Sequence, residues 1–140
     1  KLGLQNKLTL GNLEASRDWG FAGDYVEAMW MMLQHDTPDD WVIATGETYT
    51  VRQFLEATFK KLDLNWEEYV QTSDKYLRPN EVEHLLGDPT KAKEELGWEP
   101  KTSFDSLVEM MIESDLNLAK REKVLVAEGL LEPTWENPTS

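Results

Sequence analysis

The sequence predicts an α/β fold, mostly helical with few short strands. Three observations carry that expectation. Apolar residues recur at three- and four-residue steps in several stretches, the period of a helix with one buried face. Between them stand only short strand-like runs, at residues 7–10 and 41–44. The helical stretches also begin or end on recognisable caps, at Thr50, Asp88, Gly97 and Ser103.

Taken in order, residues 7–10 alternate in polarity and close on Gly11-Asn12, a turn signal. After Asp18-Trp19-Gly20 a helix is predicted over residues 23–35, with Tyr25, Val26, Met29, Met32 and Leu33 as its apolar face and Pro38 barring continuation. Trp41-Val42-Ile43-Ala44, between Asp39-Asp40 and Gly46, reads as a buried strand. A lone strand cannot satisfy its own backbone, so this one is expected in a sheet whose other strands lie mostly outside these residues. Thr50 and Gln53 fit a capping box, opening a helix whose buried stripe is Val51, Phe54, Leu55, Thr58, Phe59 and Leu62.

Residues 65–86 are mixed, with short strands expected near 66–70, and Pro79 biases Arg78 toward an extended backbone. Asp88 as N-cap, Pro89 at the first helical position and Gly97 as terminator bracket a short helix. Ser103 caps the last one, which presents Phe104, Leu107, Val108, Met111 and Ile112 and is expected to run to about Arg121. Beyond it, Gly129, Pro133 and Pro138 mark a loose tail.

The totals narrow the function classes. A chain of 140 residues with 40% hydrophobic content supports one globular domain. A net charge of −13 repels nucleic acid and anionic membranes, so neither is an expected partner. Any anionic ligand must be held locally, and the arginines available are Arg17, Arg52, Arg78 and Arg121. There is no Cys, His35 and His84 lack zinc spacing, and the Asp39-Asp40 and Glu67-Glu68 pairs fall short of a calcium or magnesium ligand set, so no metal is expected. Neither a signal peptide nor a membrane-length apolar run is visible, which points to a cytoplasmic protein. The chain opens at Lys1 with neither Met nor cap, and reads as a piece of something longer.

Two segments stand out. One is Gly11-Asn12-Leu13 followed by Arg17-Asp18-Trp19 and, in the next helix, Asp24-Tyr25-Val26. The other is Arg78-Pro79-Asn80-Glu81-Val82 followed by Gly87-Asp88-Pro89-Thr90-Lys91-Ala92-Lys93. Arg-Asp-Trp before such a helix resembles the extended short-chain dehydrogenase/reductases that act on nucleotide sugars. The flanking motifs narrow the resemblance to the GDP-mannose 4,6-dehydratase family, and it runs over about residues 1–123.

The resemblance implies the C-terminal, substrate-binding part of such an enzyme, with the N-terminal Rossmann half absent. Residues 1–125 would form the nucleotide-sugar-binding portion, 22–46 would pack on the missing Rossmann sheet, and 126–140 would be the tail. It implies that Arg17 and Arg78 grip the diphosphate of GDP-mannose. The chemistry suits them, because guanidinium is planar, permanently charged and forks onto phosphate oxygens. Glu81 falls where the family accepts a ribose hydroxyl, and Gly11 and Asn12 fall near the nucleotide. Plainer readings stand beside these. An Arg near an acid is usually a surface ion pair, Glu81 and Glu83 fit a solvated face, and Trp19, Met29, Met31 and Met32 fit packing.

The reaction implied is loss of water from GDP-mannose to give GDP-4-keto-6-deoxymannose, a step toward GDP-fucose, using NADP held by a homodimeric or homotetrameric enzyme. Its machinery is missing from this chain. The Gly-rich dinucleotide fingerprint comes no nearer than Gly20 and Gly23. The residues four positions after Tyr25, Tyr49, Tyr69 and Tyr76 are Met29, Gln53, Ser73 and Asn80, so there is no Tyr-x-x-x-Lys pair. Thr45-x-Glu47 and Thr134-x-Glu136 have the Thr-x-Glu spacing by coincidence. Catalytic residues and the cofactor site are therefore expected outside this chain, leaving the piece inactive alone. Two other readings stay open: part of another nucleotide-sugar dehydratase or epimerase, and a non-catalytic interaction module.

Overall fold

A computed structural model describes residues 1–133. Residues 134–140 of the expected tail, with Thr134-x-Glu136, lie outside the described residues. The fold is mixed α/β with few strands. In chain order it runs β1 (Leu8–Leu10), β2 (Ser16–Arg17), α1 (Ala22–Gln34), β3 (Tyr49–Thr50), α2 (Val51–Lys61), β4 (Val70–Thr72) and α3 (Phe104–Ala127). Single 3-10 turns occupy Trp66–Glu68 and Asp74–Tyr76, and a π-helical turn spans Ala92–Leu96.

The strands form two small ladders. β1 pairs parallel with β4, Leu8 opposite Val70 and Leu10 opposite Thr72. β2 pairs antiparallel with β3, Ser16 opposite Thr50. Leu13, Leu55 and Val70 form one core cluster, with Leu10, Val51, Phe59 and Trp66 packed on it. This is the α2 stripe seated over the β1–β4 ladder. Ala28, Ala92 and Trp98 form the other, joined by Tyr25, Met31, Trp41, Ile43 and Leu96. Trp98 is fully buried, and its indole N–H donates to the Asp24 carbonyl at 2.9 Å, so the bulk and the polar handle are both satisfied. An aromatic chain ties α2 to α3: Tyr49 stacks on Phe104 at 3.9 Å, and Phe54 meets Phe104 edge-on at 5.7 Å.

Caps behave as their chemistry dictates. Thr50 and Gln53 make the full capping box, and the Ser103 hydroxyl accepts from Ser106 N–H. Gly97 takes φ 68°, the left-handed conformation that suits glycine at a helix end. Its N–H bonds back to the Lys93 carbonyl at 3.1 Å.

Residues 41–44 are in no ladder among the described residues, as is expected of a stretch whose partner strands lie mostly outside them. Trp41 and Ile43 pack against the cluster of Ala28, Ala92 and Trp98. Three expectations need correction. Val26, Met29 and Leu33 point outward from α1, 60–82% exposed, while Asp24 and Ala28 are its buried positions. Residues 66–68 form a 3-10 turn, and the strand follows at Val70–Thr72. α3 runs past Arg121 to Ala127, because nothing between them breaks a helix; the left-handed Gly129 follows. No helix among the described residues is long and apolar enough to cross a membrane.

Candidate functional site

The two motif segments run side by side. The parallel β1–β4 ladder starts them together, and Ser73 N–H extends it by donating to the Leu10 carbonyl at 2.9 Å. Just beyond, Gly11 meets Tyr76 so closely that a Cβ would lie 2.4 Å from the Tyr76 carbonyl oxygen. Five residues further, Ser16 N–H donates to the Glu83 carbonyl at 2.7 Å and Leu85 N–H donates back to the Ser16 carbonyl at 3.0 Å. Residues 82–85 thus lie along β2 on the side away from β3. Arg78 is exposed ahead of the Pro79-Asn80 turn, between the point where Tyr76 touches Gly11 and the point where Val82 touches Arg17.

Arg17 is held across this seam. One terminal nitrogen, Nη1, donates to the carbonyls of Ser16 and Val82, both at 2.7 Å. The other, Nη2, forms an ion pair with Glu81. Both side chains are about one-fifth exposed, 21% and 20%, so water screens this pair less than a surface pair. Of the five guanidinium N–H donors, the Nε–H and one on Nη2 have no partner among the described residues. Asn12 turns its side-chain oxygen onto Glu14 N–H at 2.9 Å, a local turn that carries the chain from β1 toward β2.

The structure therefore brings Gly11, Arg17 and Glu81 into one strip, with Arg78 and Asn12 on the connecting turns. The strip is open. An apolar groove of about 440 Å³ lies elsewhere, lined by Leu2, Leu4, Phe54, Leu62, Met111 and Leu116. Trp19 packs against Phe54 at 5.2 Å and donates its indole N–H to the Tyr49 carbonyl at 3.3 Å, a packing role. Arg52 is spent on Glu14, with contacts of 2.8 and 2.5 Å, and stands 5.3 Å from the Trp66 ring centre.

Sequence reasoning missed Asp18. It lies next to Arg17, yet its carboxylate faces the other way and accepts from Thr45, Gly46 and Gly87. The signal was the Asp of Arg-Asp-Trp itself; its partners, 27 to 69 positions away, carry no local mark. Nearby, burial pushes the Tyr25 hydroxyl above its ordinary pKa, and the negative charges of Asp18 and Asp24 add to the effect. Tyr49 is raised likewise, chiefly by its hydrogen bond to Glu47. Both phenols stay neutral; the Tyr49 hydroxyl donates to Glu47 at 2.7 Å, and the Tyr25 ring packs against Trp98.

Residues 1–111 match the family model described as GDP-mannose 4,6 dehydratase. The chain is 61% identical over 132 residues to GDP-mannose 4,6 dehydratase 2 of Arabidopsis thaliana, covering 94% of this chain and 35% of that protein. The fold superposes on UDP-glucose 4-epimerase of Thermotoga maritima, solved with UDP-glucose, at a TM-score of 0.70 and 26% identity, over 81% of this chain and 36% of that one. It also superposes on RMD of Pseudomonas aeruginosa, solved with NADPH, at a TM-score of 0.68 and 17% identity, over 77% of this chain and 35% of that one. The chain spans about a third of the length of the curated relatives it matches. A matched stretch reaching from residue 1 to 111, containing both the Arg17 and the Arg78 segment, establishes that this chain belongs to the GDP-mannose 4,6 dehydratase family.

Proposed function

We propose that this chain is the C-terminal, GDP-sugar-binding portion of a GDP-mannose 4,6-dehydratase, a lyase that converts GDP-mannose to GDP-4-keto-6-deoxymannose. The observation that carries this reading is the seam between residues 11–17 and 76–85, which sets Arg17 against Glu81 and Val82. Arg17 and the exposed Arg78 would grip the diphosphate, supplying two positive charges in a chain of net charge −13. Arg17 keeps two N–H donors for that task. Glu81 anchors Arg17 through one carboxylate oxygen, which leaves the other for a ribose hydroxyl. Gly11 and Asn12 would border the nucleotide.

Catalytic residues and the NADP site belong to the remainder of the enzyme in this reading. Glycines with positive φ among the described residues are Gly3, Gly46, Gly97 and Gly129, and none of them joins a strand to the start of an α-helix. Such a turn is what a dinucleotide pyrophosphate requires. These residues do not fit the cofactor. Residues 22–46 would pack on the Rossmann half, since α1 presents an uncovered apolar stripe and residues 41–44 an unpaired backbone. The complete enzyme would be a cytoplasmic homodimer or homotetramer, and the piece inactive alone.

Calorimetric titration of GDP into the complete enzyme tests the site. Arg17→Ala and Arg78→Ala should each weaken binding about tenfold or more, the loss of a charge-assisted contact to phosphate. Affinities equal to the wild type would remove the assignment. Product analysis with GDP-mannose against other nucleotide sugars tests the substrate, and dehydratase turnover by the 140-residue chain alone would refute its inactivity.

A further inference from the structure

We infer that Asp18 is a positioning residue for nucleotide-sugar binding: its carboxylate clamps, from behind, the chain segments that present Arg17 and residues 78–82. The inference rests on the diphosphate reading of Arg17 and Arg78 and deepens it.

Oδ1 of Asp18 accepts from Thr45 N–H at 2.9 Å and from the Thr45 hydroxyl at 2.7 Å. Oδ2 accepts from Gly46 N–H at 3.1 Å and from Gly87 N–H at 3.3 Å. A carboxylate offers about four acceptor positions, so this one is filled entirely by protein donors. It has none to give a ligand, which marks it as a support.

The donors come from places the fold must bring together. Thr45 and Gly46 follow the unpaired stretch at 41–44, and Gly87 follows residues 82–85, the segment laid along β2. Two glycines shape this meeting point. Gly46 takes φ 79°, the left-handed conformation that suits glycine, and turns the chain away directly after its N–H has met the carboxylate. At Gly87 a Cβ would lie 2.1 Å from the Ala44 Cβ, so a side chain there would push the Gly87 N–H off the carboxylate.

Adjacent residues on extended backbone point to opposite faces. Arg17 therefore reaches Glu81 and Val82 on one side, while Asp18 reaches Thr45, Gly46 and Gly87 on the other. The 78–87 segment is gripped at two points, one each side of Ser16–Arg17. Those grips set where Arg17 stands relative to Arg78, and a diphosphate needs that spacing fixed.

The test uses the complete enzyme with Asp18→Asn, Thr45→Val, Thr45→Ser and Arg17→Ala. Asparagine keeps the shape of Asp18 but turns donors toward Gly46 and Gly87 N–H. Asp18→Asn should raise KM for GDP-mannose about tenfold while kcat per folded enzyme changes less than about twofold. Thr45→Val removes one of the four donors and should raise KM about twofold to threefold, with Thr45→Ser returning it to the wild-type value. A purely structural Asp18 would lower Tm and the folded fraction while leaving KM alone, and that outcome overturns the inference. If Asp18→Asn does not fold, Thr45→Val decides, an unchanged KM being again the overturning result. Arg17→Ala separates the two levels. A raised KM there with unchanged KM in the Asp18 and Thr45 variants sinks the clamp alone, whereas an unchanged KM in Arg17→Ala sinks the diphosphate site beneath it.

Discussion

The Thr58 hydroxyl oxygen is buried on the inner face of α2 with no hydrogen-bond partner among the described residues. Such a group loses its water on folding and receives nothing in return. Valine has the same shape without the oxygen, so Thr58→Val should stabilise the protein by about 1 kcal/mol, read as a raised urea midpoint at unchanged m-value. Gly11→Ala should act in the opposite sense. Its Cβ would sit 2.4 Å from the Tyr76 carbonyl oxygen and 2.9 Å from the carbonyl carbon, and backbone cannot step aside as a rotamer can. A loss of about 1–3 kcal/mol is expected in the same measurement. What the sequence made legible at this scale was residue type and period: Thr58 belongs to the α2 stripe, and Arg17 and Arg78 carry the guanidinium groups that the proposed diphosphate site would use. Their partners were not legible. Val82 and Glu81 meet Arg17 only because two segments some sixty-five positions apart run in parallel, and one sequence carries no local trace of that pairing.

The capped helix starts came through intact, while a strand came through only where its partner lies among the described residues, as β1 does with β4. The α2 capping box is local: Gln53 N–H reaches the Thr50 hydroxyl at 3.0 Å, and Thr50 N–H reaches the Gln53 side chain at 2.7 Å. Thr50→Ala should lower stability by about 1 kcal/mol. Residues 41–44 have the apolar run of a strand but no ladder here, because a strand is defined by its neighbour. Their flank is fixed by charge instead. Lys91 bonds Asp39 at 2.8 Å and the Asp40 carbonyl at 3.0 Å, tying the loop ahead of Trp41 to the start of the π-helical turn. The Lys91 hydrogen bond, helped by Asp40 N–H, holds the Asp39 carboxyl below the usual carboxylate range, and the same bond raises Lys91. A lowered acid favours the folded state above the ordinary carboxylate pKa and loses that effect as pH falls through the lowered value. A raised lysine contributes below the ordinary lysine pKa and loses its effect as pH rises through the raised one. The tie is thus whole across neutral pH and released first by acid at Asp39 or by alkali at Lys91. An NMR titration should place the Asp39 midpoint below that of a free aspartate, and Lys91→Met should return it upward. A midpoint unmoved by Lys91→Met would mean the contact is not populated in solution.

At the scale of the molecule, α1 is apolar on two sides. Ala28, Tyr25 and Met31 face the Trp98 cluster. Val26, Met29, Trp30 and Leu33, spaced 0, 3, 4 and 7, form a second stripe that is 60–82% exposed. The 3.6-residue period was plain in the sequence, but it could not say which stripe this chain covers, since that depends on what else packs there. An uncovered stripe of this kind signals a partner surface, and the proposed partner is the remainder of the enzyme. The isolated chain should then bind an apolar dye and self-associate through α1. Its net charge of −13 opposes association of copies. Salt screens that repulsion over about 8 Å at physiological strength without weakening apolar contact, so association should strengthen with added salt. Sedimentation of the chain across a salt series reads this directly. Trp30→Lys with Leu33→Lys should abolish both dye binding and self-association in the piece, and should lower Tm in the complete enzyme, where the same two side chains would be buried at the junction. A piece that stays monomeric and dye-free at high salt, together with a complete enzyme indifferent to the double substitution, would place the covering surface somewhere other than α1.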